Sequence, residues 1–103
     1  MKLTKADRLR EQDHVLDVEE HRLMQLEHSA AIMQREAVRS IAIADAISEL
    51  PSDASYRDVQ FAIWSANATA CARAAGELRV EHQAKLTVLA DLVDERNRIT
   101  EEP

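Results

Sequence analysis

Between Thr4 and Leu50 the chain contains neither glycine nor proline, and beyond Pro51 it holds a single glycine, Gly76, before the terminal Pro103. Sandwiches and barrels need Gly, Pro and Asn at frequent corners. A chain with so few places to turn is confined to long helices. Ala, Leu, Glu and Arg, all frequent here, lose little conformational entropy in a helix. The one clear corner is the segment 49–55, Glu-Leu-Pro-Ser-Asp-Ala-Ser, where Pro51 disfavours helical geometry at Leu50.

The expected fold class is therefore all-α, a long antiparallel two-helix hairpin of coiled-coil character. One helix covers about residues 4–49, the corner 50–55, and a second helix about 56–99 of a single domain spanning 1–103. Thr4 starts the first helix, with Asp7 near the positive end of its dipole. Ser52 or Ser55 is expected to cap the second, and Ser55 with Asp58 reads as a capping box with Asp in place of Glu. Gly76 reads as a close-packing site or a mild bend. Each helix would extend about 65–70 Å at about 1.5 Å per residue.

Leu9, Leu16 and Leu23 recur at intervals of seven, and Ala30, Ala37 and Ala44 continue that register. Val15, Val18, Leu26, Met33, Ile41 and Ile47 lie beside it. This is the periodicity a helix needs to lay one face on a neighbour. Folding at 52–53 sets side by side positions whose numbers sum to about 105, so that Trp64 comes level with Ile41. The end far from the corner is highly charged with a narrow apolar stripe, which describes a coiled-coil stem. The corner end is apolar on more than one face, with alanines at 62, 66, 68, 70, 72, 74 and 75. Two helices cover one face each, so the surplus calls for a third layer. A second copy would supply it, giving a homodimeric four-helix bundle; the alternative is a partner's helix in the groove.

The amount of core points the same way. Of 47 apolar residues 17 are alanine, which leaves 30 with a larger side chain. Such a chain is marginal as a lone monomer. Its formal net charge of −6 is interspersed, with no basic block to track phosphates, so nucleic acid is not an expected partner. The lone Cys71 excludes an internal disulfide and fits a reducing compartment. With no run of 18 apolar residues and no apolar signal core in MKLTKADRLREQDH, membrane insertion is not expected and the location is cytoplasmic.

No residue set for catalysis stands out. The chain lacks a phosphate-cradling glycine loop, a serine elbow and a cysteine pair, and Cys71 in Ala-Thr-Ala-Cys-Ala-Arg reads as a small buried hydrophobe. A hairpin offers no concave site, so no enzyme and no cofactor are expected. His14, His21 and His28 form a ladder with rungs about 10.5 Å apart on an outward face, too far for two to share one metal. They are weak metal candidates, and otherwise solvated positions. Glu11-x-x-His14 has di-iron spacing but occurs once, where such bundles need it twice. The candidate protein-interaction residues are Trp64, Phe61 and Tyr56, of the types that dominate binding hot spots, with Ile41, Ala66 and Ala70 around them. The plain alternative is that these aromatics pack the thick end of a bundle.

A charged N-terminal helix opening with Leu9-Arg10-Glu11, then one corner and a long return helix, resembles the FliJ/YscO group. These are helical-hairpin stalk proteins of flagellar and type III export machines. The resemblance implies binding to an export ATPase ring and to the export gate or chaperones. It carries over no functional residue, and this chain is shorter, with an alanine-rich corner. The functional expectation is thus a helical adaptor or assembly protein acting by helix–helix contact. The rivals are a small acidic inhibitor of phage or mobile-element type that blocks a host protein, and a metal-binding helical bundle.

Overall fold

The structure, a computed structural model, describes residues 3–103. It contains two helices, α1 from Lys5 to Ser48 and α2 from Ala54 to Glu101, joined by a five-residue corner into an antiparallel hairpin. The described residues hold no strand, no cis peptide and no left-handed backbone.

Thr4 starts α1 by a reciprocal pair of bonds. The Asp7 amide donates to Thr4 Oγ1 at 3.1 Å, and the Thr4 amide donates to Asp7 Oδ2 at 3.3 Å. This is a capping box with the shorter acid. Over its last turn α1 tightens, with the Glu49 and Leu50 amides donating to the carbonyls three residues back. The turn has no basic residue of its own. Arg57 supplies one from α2, its Nη1 donating to the Leu50 carbonyl at 3.2 Å. The expectation of a serine cap on α2 is corrected here. Asp53 Oδ1 accepts the Ser55 amide at 2.7 Å, and the first helical bond runs from the Arg57 amide to the Asp53 carbonyl. A carboxylate at the N-cap also answers the helix dipole, which a hydroxyl does not. With Asp53 as cap, α2 begins two residues earlier than expected.

Gly76 lies inside continuous helix, so α2 does not break there. A Cβ placed on it would meet nothing within 4 Å, so the close-packing reading is also corrected: no neighbour needs the missing side chain.

The hairpin divides into two compact units: a stem of residues up to Glu27 with Val80–Pro103, and a corner unit, His28–Arg79. In each, α1 faces α2 along two rows spaced by seven. On α1 the rows are 9, 16, 23, 30, 37, 44 and 12, 19, 26, 33, 40, 47, all buried or half-buried. On α2 they are 64, 71, 78, 85, 92, 99 and 68, 75, 82, 89, 96. A repeat of about 3.5 residues is the coiled-coil seam.

The stem seam centres on buried Leu23 and Ile99 and is laced with cross-helix polar contacts. Arg8 makes a two-pronged pair with Glu102 at 2.7 and 2.9 Å. Lys5 Nζ donates to the carbonyls of Thr100 and Glu102 at 3.0 and 2.6 Å, placing a cation on the negative end of α2. Arg96 pairs with Asp13, and Gln12 donates to the Leu92 carbonyl. Lys85 Nζ lies 3.1 Å from Glu19 Oε2, an ion contact whose angles make no hydrogen bond. The corner unit has one polar seam pair, Asn67 Nδ2 donating to the fully buried Ser40 Oγ at 2.7 Å.

Candidate functional site

The corner unit is packed with its small residues inside. Its buried hydrophobic residues are all alanine: Ala30, Ala37, Ala44, Ala68 and Ala75. Its larger apolar groups largely point outward, with Val38, Ile41, Tyr56, Val59 and Ile63 each more than half exposed and Phe61 at 41%. The cause is the seam register. The row that carries leucine in the stem carries alanine from Ala30 onward, so the facing positions hold small side chains and the larger ones fall on the outer faces.

On one side of this unit the small residues form the floor of a groove of about 260 Å³. Ala44, Ala68 and Ala72 line it with Ser65 and Thr69, while Ile41 from α1, Phe61 from α2 and the Asp45 carboxylate complete its walls. Local helix chemistry holds this surface in place: Thr69 Oγ1 donates to the Ser65 carbonyl at 3.1 Å, one turn back. Asp45, near the end of α1, makes no ion pair among the described residues.

The interaction candidates separate in three dimensions. Ile41 and Phe61 both line the groove. Trp64 does not line it; it sits half-buried in the seam row one turn from Ala68. Tyr56 is 58% exposed near the corner. Ala66 and Ala70 are exposed but lie outside the groove. The floor residues Ser65, Thr69 and Ala72 were not picked from sequence. Their signal was available in the heptad: they flank the 61–68–75 row on the side opposite 60, 67 and 74, which are half-buried.

The histidine ladder is outward-facing as expected. His14 and His21 lie with Asp17, Val18, Arg22 and Gln25 along one side of α1, and His21 Nε2 is 3.4 Å from Gln25 Nε2. His28 is exposed too, while His82 is half-buried in the stem seam. Among the described residues no three His, Cys, Asp or Glu side chains group to hold a metal ion.

Charge is segregated between the units. Residues 28–79 carry five Lys and Arg against six Asp and Glu, a net of −1. The stem residues carry eight against thirteen, a net of −5. At the stem's end, hydrogen bonding from Arg8, opposed by some desolvation and helped by the charges of Arg8 and Lys5, holds the Glu102 carboxyl below the usual carboxylate range. Thr4, followed by Arg10, does the same for Asp7. Among the described residues no helix is long and apolar enough to cross a membrane. Compared with protein-family models, curated proteins and solved structures, the chain matches none.

Proposed function

We propose that the chain is a non-enzymatic helical adaptor of the cytoplasm that works by helix–helix protein contact, with the apolar surface of the corner unit as its binding face. The observation that carries this reading is the inverted burial of that unit, alanines within and Ile, Val, Phe and Tyr without. Large exposed apolar patches on a folded domain mark interaction sites. An alanine-floored groove between two larger apolar walls suits a helix laid into it. Asp45 is the only ionisable group at that groove, which suits binding better than acid–base chemistry. A stalk-like role in an export machine is one form of this reading, and the two-helix hairpin is what supports it. The acidic stem leaves nucleic acid without a basic surface to grip.

The segregated charge favours one rival. A small acidic inhibitor would use the stem, where the charge excess is concentrated, to occupy a basic site on a host protein. One experiment separates the two. A photo-crosslinking residue is placed at position 61 in the groove or at position 88 on the exposed stem surface, and the cells that make the protein are irradiated. The adaptor reading expects protein products from 61, suppressed by Ile41→Glu. Products from 88 alone, weakened by salt, would replace it with the inhibitor.

A further inference from the structure

We infer that the occupant of the Ile41/Phe61 groove is a second copy of this chain, seated by a two-fold contact in which each copy offers both the groove and the side chains that fill it. The inference rests on the corner unit being the binding face. Two observations favour a second copy as the occupant.

The first is shape in both senses. The groove has a floor of small residues and about 260 Å³ of space, and Ile41 and Phe61 stand partly exposed at its edges. A cavity of about 150 Å³ accepts a benzene ring. The groove therefore has room for a phenyl group and a branched aliphatic group together, which are the groups that flank it. An isologous interface needs this self-complementarity, since the same patch must serve on both sides.

The second is charge. The corner unit's net of −1 lets two copies approach with almost no repulsion, which two stems at −5 would not. Asp45 on the groove wall and Arg73, next to the groove's Ala72, make no ion pair among the described residues. A second copy laid antiparallel offers each of them an opposite charge.

Size-exclusion chromatography with light scattering tests this on the full chain, from low micromolar concentration upward. The wild type should have twice the mass of the chain. Ala72→Glu, which puts a carboxylate on the groove floor, should give a monomer of unchanged helicity by circular dichroism. Ala70→Glu, the same change outside the groove, should leave the dimer intact. Phe61→Ala keeps the test open if Ala72→Glu unfolds, and should weaken association about tenfold or more. A monomeric wild type overturns the inference, as does a dimer that tolerates both groove variants, or one that Ala70→Glu breaks equally. A monomer whose position 61 still crosslinks to a different protein would leave the adaptor reading standing while this inference falls. A monomer with no product at 61 would remove both.

Discussion

Two positions show what individual side chains do for this backbone. Asp53, not a serine, holds the start of α2. Asp53→Ala should cost about 1 kcal/mol, the usual worth of an N-cap. Ser55→Ala, two residues inside the cap, should instead gain a few tenths by the scale of helix propensity, and chemical denaturation of the pair decides between them. Gly76 occupies ordinary helix beside open space. Gly76→Ala should add about 1 kcal/mol and raise Tm by about 4–8 °C, measured by thermal melting. A loss of stability there would mean that a neighbour does approach the backbone. Both positions were visible in the sequence as features, but their roles were not. Ser52, Asp53 and Ser55 are all competent caps, and only the path of the backbone brings one oxygen to the Ser55 amide.

At the scale of the element, periodicity told which face of α1 is buried. Leu23, Ala30, Ala37 and Ala44 are buried as the repeat of seven requires, and the helices pair at positions summing to between about 104 and 110 by their cross-helix contacts, such as Ser40 with Asn67. The long-range charge pairs were not legible. Sequence spacing reveals neighbours three and four apart, such as Arg98 with Glu95, but Arg8–Glu102, Arg96–Asp13 and Lys85–Glu19 connect residues more than sixty positions apart. These pairs and the polar seam of the stem hold register where apolar contacts are sparse. They also make the stem end sensitive to acid. Glu102, bonded by Arg8, titrates below its ordinary range, so its contribution is complete above the unfolded value of about 4.3 and disappears as pH falls through the lower folded value. The protection of the stem-end amides, that is, their exchange relative to the intrinsic rate at each pH, should therefore fall below about pH 4. Glu102→Gln should flatten that dependence; an identical acid profile in the variant would show that Arg8 and Glu102 do not hold the end together.

For the molecule as a whole, the sparse core makes stability and association one question. The largest fully buried side chain is a serine, Ser40. A chain that buries so little would gain folding free energy from anything that covered its remaining apolar surface. If a second copy covers it, Tm should rise with protein concentration by mass action, and the rise should vanish in Ala72→Glu. A melting temperature independent of concentration in the wild type would contradict self-association through the groove. Trp64 is half-buried in a seam row and does not line the groove. Of the candidates named from the sequence, Ile41 and Phe61 line the groove, beside small residues that were not named.

The amino-acid sequence by itself determined that this protein is two long helices with one corner, because helix propensity, the absence of breakers and a seven-residue repeat are local properties that need no partner. It also determined that the corner end carries more apolar surface than two helices can cover, since that follows from counting. Only the tertiary structure decided which of those side chains are consumed and which are left over. Alanine fills the facing rows of the corner unit, Ile41 and Phe61 are left exposed at a groove, and Trp64 lies half-buried in a seam row. Burial depends on the rotation of each helix against the other, and that angle is set by contacts across the hairpin.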